Sequence, residues 1–197
     1  MDIRRFGRDH VLVELDDEQQ ALALYDEARR RRVDASDIVS AARTVLFEGV
    51  GDAAALASSL ADWEVRPSAA SGELVEVPTT YDGADLEDVA RRWDMTREEV
   101  VATHTGHELV VAFCGFAPGF PYCTGLPERF AVPRLDSPRT RVPAGAVGLA
   151  GLFTGIYPTE SPGGWRLLGR TELRLWDPDR DPPATLRPGT RVRFVAT

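Results

Sequence analysis

Between Phe113 and Arg170 the chain has room for neither a long helix nor a featureless linker. Glycines at 119, 125, 145, 148, 151, 155, 163, 164 and 169 alternate with prolines at 118, 121, 127, 133, 138, 143, 158 and 162. Proline fixes φ and removes a donor, and glycine opens positive φ. Only short strands and turns fit between such breakers. Yet Phe113, Phe116, Phe120, Tyr122, Phe130, Phe153, Tyr157 and Trp165 lie among them. Apolar anchors set between fixed turns predict ordered, loop-rich β-structure rather than disorder.

The same stretch is locally basic. From Glu128 to Arg170 it carries six arginines against Glu128, Asp136 and Glu160, in a chain whose net charge is −8. A guanidinium offers a planar fork to carboxylate or phosphate, so an anion-recognition surface is one reading. Pairing with acids elsewhere in the chain is the other. All 23 basic residues are arginine. That excludes a Schiff-base lysine, a phosphate-loop lysine and a lysine general base from this chain. The acidic balance argues against nonspecific nucleic-acid binding. No apolar run approaches the roughly 18 residues of a membrane span. MDIRRFGRDH has no apolar leader core, so the cytoplasm is expected. Cys114 and Cys123 form no metal-binding pair and are expected as small buried hydrophobes, and no metal is expected.

Taken in order, HVLVEL (10–15) reads as a strand and DDEQQALALYDEARRRR as a helix with acids first and arginines last. Residues 37–47 suggest two strands or one bent strand, and Asp52 opens a second helix. A closing strand at Trp63–Arg66 would complete a small ferredoxin-like α+β domain over residues 1–70. RPSAASGE (66–73) is the expected boundary. Residues 71–197 then form a mainly-β domain. LVEVP is its first strand, Asp85–Trp93 and Thr96–His104 are helices, and Thr96 with Glu99 makes a capping box. ELVVAFC, VGLAG, RLLG, ELRLWDP and TRVRFV read as strands of a closed or nearly closed barrel. The two helices superficially match a DNA-binding pair, but the second carries two glutamates that phosphate would repel.

Three groups of residues are candidates for chemistry. His104 shares a helix face with Val100, and reads either as a packed histidine or as a titrating group. Arg134, Arg139 and Arg141 sit on a proline-pinned loop, with Arg170 nearby in sequence. Phe116, Pro118, Gly119, Phe120 and Tyr122 form one aromatic-glycine turn. Tyr157, Gly163, Gly164 and Trp165 form another, as a pocket wall or a subunit interface.

GFAPGFPYCTGLP, PRLDSPRTRVPAGAVGLAG, TGIYPTESPGGWRLLGRT and LRPGTRVRFV together resemble the PxpB/KipI family, also called allophanate hydrolase subunit 1. The resemblance runs from Leu74 to Thr197 and is looser before that. It implies a cyclophilin-like barrel and the role of B-type component in an ATP-dependent 5-oxoprolinase, opening 5-oxoproline to glutamate. It also implies an A-type component and a carboxyltransferase-type C component as partners, a shared site, and ATP with Mg, bound either by a partner or by this component. His104–Thr105 matches a family His followed by Ser or Thr, so the resemblance assigns proton transfer to His104, with the arginines holding carboxylate or phosphate. The family also includes an inhibitor of a sporulation histidine kinase, which makes a non-catalytic docking protein the alternative. The allophanate reading is weakened by the lack of a Ser-Ser-Lys signature. Prolyl isomerisation rests on fold analogy alone. Phe153 stands where the family commonly has Gln, and Cys114 and Cys123 stand where leucine is frequent.

Overall fold

The computed structural model describes residues 1–65 and 72–197. The expected boundary at 66–73 therefore falls mostly outside the described residues. The chain divides into two compact units, Met1–Ala69 and Ala70–Thr197.

In the first unit the elements are β1 (Asp2–Phe6), β2 (His10–Glu14), α1 (Glu18–Arg30), β3 (Asp37–Ser40), β4 (Thr44–Glu48) and α2 (Ala53–Ala61). The 37–47 segment is thus two strands, paired antiparallel. Each helix starts at an aspartate whose carboxylate accepts backbone N–H groups left free in the first turn. Asp17 accepts from Gln20, and Asp52 accepts from Ala54 and Ala55. Alternation on β2 and β4 sends Val11, Val13, Val45 and Phe47 to one side, where Leu24, Ala28 and Leu60 complete a dry core.

The ferredoxin-like expectation needs correction in one strand. The sheet order is β1-β2-β4-β3, and all its pairs are antiparallel. The edge place beside β2, which a strand after α2 would hold, belongs to β1. Trp63–Val65 forms no strand. DIRRF was unreadable as a strand because it buries almost nothing: four of its five residues are exposed. Among the described residues only its hairpin to β2 pairs it. Its arginines suit an edge that must not recruit further strands.

In the second unit β5 (Leu74–Thr79) is followed by α3 (Leu86–Trp93) and α4 (Arg97–Gly106), then β6 (Leu109–Cys114) and β7 (Pro121–Thr124). β8 (Arg139–Val142), β9 (Ala146–Ala150), β10 (Phe153–Ile156), β11 (Ser161–Gly163), β12 (Arg166–Arg170) and β13 (Arg191–Ala196) complete it. Seven strands run β12-β9-β10-β7-β6-β13-β5, with β13 and β5 parallel. The two ends of that sheet meet. Thr80, just past β5, exchanges both backbone hydrogen bonds with Arg170 at 2.9 Å, so the barrel is nearly closed. The approach needs glycine at 169, where a Cβ would lie 2.2 Å from the Thr80 carbonyl oxygen. β8 and β11 form a separate two-stranded ribbon. The interior holds Val77, Leu109, Val111, Leu149, Ile156, Leu168, Val192 and Phe194.

The capping box at α4 is present. The Thr96 hydroxyl accepts from Glu99 N–H at 3.2 Å, and the Glu99 carboxylate accepts from Thr96 N–H at 2.7 Å. The expected strand at ELRLWDP is not formed. Only Trp176 pairs, in an isolated bridge with Ala184. The segment instead anchors Leu175 in the core, and Pro178, Pro182 and Pro183 deny it the donors of a ladder.

Candidate functional site

β10 divides the chemistry of this unit between its two faces. Thr154 and Ile156 point into the barrel, with Cys123 of the paired strand β7. Phe153, Gly155 and Tyr157 point the other way, towards a second apolar cluster with Phe120 and Trp165. The residues alone offered no means to tell these faces apart, because the strand is short and glycine-broken.

On the inner face, His104 of α4 is fully buried. Its Nδ1 lies 2.6 Å from the Tyr81 hydroxyl and its Nε2 lies 3.2 Å from the Thr154 hydroxyl. Its ring packs on Phe194 with centroids 4.5 Å apart. Burial pushes the Tyr81 phenol up, so it keeps its proton. The hydrogen-bond pattern thus assigns Tyr81 O–H as donor to Nδ1, and Nε2–H as donor to Thr154. Burial, and then the neighbouring His107, push the imidazole down to about 3. His104 is therefore a neutral histidine with both nitrogens occupied. The ring for which proton transfer is expected reaches neither solvent nor the cleft described next.

On the outer face, Phe116, Phe120, Tyr122, Arg134, Tyr157, Pro162, Gly163, Gly164 and Trp165 enclose a cleft of about 80 Å³. Seven of the nine residues singled out in the two aromatic-glycine turns are brought together here. Pro118 and Gly119 do not line it but close the turn that carries Phe116. Phe120, Tyr157 and Trp165 meet edge to face, at 5.2 Å and 5.3 Å from Phe120. Gly155 forms the base of this cluster, since a Cβ there would lie 2.7 Å from the Trp165 ring and 2.8 Å from Phe120. Gly155→Ala is expected to displace those rings, costing about 1–3 kcal/mol. Chemical denaturation followed by tryptophan fluorescence measures it, with a blunted fluorescence response to any cleft ligand as the second sign.

Phe116 stands over the cleft with a φ of 69° and is 62% exposed. An aromatic residue held left-handed and wet is costly, and such strain concentrates where a side chain must be presented to a ligand or partner. Phe153, the expected departure from a common Gln, does not line the cleft. It packs edge-on behind Tyr122, with centroids 5.8 Å apart.

Three of the four expected anion-binding arginines are engaged by carboxylates of the chain itself. Arg139 donates to Asp85 at 2.7 Å and to the Trp165 carbonyl at 3.3 Å. Arg141 pairs with Glu160 at 2.6 Å, and Arg170 pairs with Asp82. Only Arg134 lines the cleft, and it has no ion pair among the described residues. Burial raises the Tyr122 and Tyr157 hydroxyls, and the charge of Arg134 partly opposes this at both.

Two supporting residues escaped the sequence reading. Asp85 is buried, accepts from Arg139 on one oxygen and accepts from Leu167 N–H at 2.7 Å on the other. Arg166, also buried, donates from Nε to the Pro133 carbonyl at 2.9 Å and pairs with Asp88 of α3. The contacts from Asp85 to Leu167 and from Asp88 to Arg166 join residues about eighty positions apart, so no local spacing announces them.

Comparison with known proteins places the chain. The carboxyltransferase domain, subdomain C and D, matches residues 1–186. The 5-oxoprolinase B component of Bacillus subtilis is 48% identical over 143 residues, covering 71% of this chain and 58% of that protein. Its counterpart in Escherichia coli O157:H7 is 51% identical over 125 residues, covering 62% of this chain and 57% of that one. The chain thus spans less than two thirds of the length of these relatives. Both carry the name of a subunit, and so of a part of a larger enzyme. The crystal structure of TTHA0988 superposes with a TM-score of 0.79 at 35% identity, covering 96% of this chain and 40% of that one. This chain belongs to the carboxyltransferase-domain C and D family, alongside the bacterial 5-oxoprolinase B components.

Proposed function

We propose that this chain is the B-type component of an ATP-dependent 5-oxoprolinase, working in the cytoplasm with A-type and C-type partners. The observation that carries the reading is the cleft: aromatic walls, glycine edges and Arg134, a guanidinium with no ion pair among the described residues. 5-Oxoproline is a small flat lactam with one carboxylate. Arg134 takes the carboxylate, and the rings of Phe116, Phe120 and Trp165 cover the lactam. The relatives' names support the same assignment.

An unactivated lactam needs coupling to ATP before water opens it to glutamate. The residues here do not fit ATP. The chain has no lysine, and the cleft sets one lining cation, Arg134, against the several negative charges of a triphosphate. ATP and its Mg therefore belong to a partner, and the reacting groups that this chain lacks come from the C-type partner. His104 serves within the barrel, holding β10 through Thr154 rather than moving a proton on substrate.

Glutamate release from 5-oxoproline tests the reading, using this chain co-purified with its A-type and C-type partners and omitting each in turn. ATP-dependent release that disappears without this chain is expected. Arg134→Gln is expected to raise KM at least about tenfold, as removal of a charged hydrogen-bond partner does. A stable complex that releases no glutamate from 5-oxoproline would overturn the assignment in favour of a docking protein or another cyclic amide.

A further inference from the structure

The arginines around the cleft differ in one respect that decides what it can hold. Arg139, Arg141, Arg166 and Arg170 each face a carboxylate of this chain. Arg134 faces none among the described residues, and it is the cation that lines the cleft. No carboxylate among the described residues lines the cleft either. The remaining polar side-chain groups there are the hydroxyls of Tyr122 and Tyr157, which burial keeps protonated, and the indole N–H of Trp165. The site therefore offers one positive charge, neutral hydrogen-bonding groups and no negative charge.

Arg134 is also clamped on both sides. The carbonyl before it, Pro133, accepts from Arg166 Nε at 2.9 Å. The N–H after it, Leu135, donates to the Gly164 carbonyl at 2.7 Å. Arg166 is itself buried and fixed to Asp88. A long, exposed side chain loses much rotamer freedom on binding, and fixing its backbone on both sides reduces that loss.

We propose that the cleft is a monocarboxylate site in which Arg166 is a positioning residue for Arg134, and that it rejects the ring-opened amino acid. The identity of the ring rests on the function proposed above; the charge selectivity does not. Glutamate brings a second carboxylate and an ammonium. Neither has a partner in the cleft, and burying an unpaired ion is strongly unfavourable. Ring opening thus turns a ligand that matches the site into one that does not, which drives product out.

NMR titration of the full chain, and of its complex with the partners, tests this with three probes. They are 5-oxoproline, 2-pyrrolidinone (the same ring without the carboxylate) and glutamate. 5-Oxoproline is expected to bind saturably, and at least about tenfold more tightly than either of the others. Arg134→Gln is expected to bring 5-oxoproline to the level of 2-pyrrolidinone. Asp88→Asn loosens Arg166 without touching the cleft lining. It is expected to weaken 5-oxoproline several-fold while leaving 2-pyrrolidinone unchanged, whereas a merely collapsed cleft would lose both.

Glutamate binding as well as 5-oxoproline, no saturable 5-oxoproline binding to either chain or complex, or an unaltered Arg134→Gln would each overturn the site. Equal losses of both ring ligands in Asp88→Asn would overturn the positioning role of Arg166. Turnover separates this from the proposed function. A complex that does not open 5-oxoproline but keeps this order of affinities leaves the site standing and removes the oxoprolinase assignment. A complex that turns over with an unchanged KM in Arg134→Gln does the reverse.

Discussion

His104→Ala is expected to destabilise the second unit by about 3–5 kcal/mol, because it empties a fully buried ring site and strands two hydroxyls. The Tyr81 O–H loses its acceptor and the Thr154 hydroxyl loses its partner. Urea denaturation measures the loss. The closer substitute, His104→Gln, keeps most of the volume and is the variant in which to read activity. If His104 is a strut, turnover per folded complex changes little in His104→Gln. Loss of turnover in a complex as stable as the wild type would instead restore a direct role in proton transfer.

The same residue gives the fold a pH dependence with a definite sign. The folded imidazole stays neutral down to about pH 3, whereas the ordinary histidine value is 6.5. Between those values the unfolded chain binds a proton that the folded chain does not. Stability is therefore complete above about 6.5 and falls as pH drops towards 3, by about 1.4 kcal/mol for each pH unit from this one group. Carboxylates also contribute to acid unfolding, so the informative quantity is the difference in slope between wild type and His104→Gln. A shallower acid slope in the variant is expected; equal slopes would show that His104 is protonated in the fold.

The second large effect is expected at Asp85, where alanine costs about 3–5 kcal/mol by leaving a partly buried arginine unpaired. Both carboxylate oxygens are occupied, one by Arg139 and one by Leu167 N–H. The Asp85 N–H also donates to the Leu167 carbonyl at 3.0 Å, so the loop before α3 is laced to the start of β12 by backbone and side chain together. Arg139 holds the Trp165 carbonyl as well, so the variant loosens the cleft wall. Asp85→Ala is expected to lose both stability and 5-oxoproline binding, and Asp85→Asn to lose less of each because it keeps one acceptor. Denaturation midpoints with the NMR titration decide it. Full binding in a destabilised Asp85→Ala would separate the lacing from the cleft.

Local signals were readable directly from the residues. Asp17 and Asp52 open helices, Thr96 and Glu99 cap α4, and the alternation of β2 and β4 marks their buried side, because each depends on neighbours a few positions apart. Residues of the aromatic and glycine turns also meet in one cleft, since an apolar ring held between chain breakers has few places to go. The strand order of the first unit was not legible, because β1 is exposed, carries arginines and is recognised only by its partner. ELRLWDP has the composition of a strand but anchors Leu175 from a proline-rich loop instead.

What only the tertiary structure decided was the partition of charge and of faces. In sequence, Arg134, Arg139 and Arg141 are three equivalent arginines on one loop. Acids elsewhere in the chain, Asp85 and Glu160, neutralise all but Arg134, and a carboxylate pairs with whichever guanidinium the fold brings within about 3 Å. Thr154 and Gly155 are neighbours in sequence, yet a two-residue period puts them on opposite sides of β10, one towards His104 and the other towards the cleft cluster. The sequence determined which residues were available for chemistry. Closure of the barrel determined which of them, like His104, ended buried inside it and which, like Arg134, line the cleft.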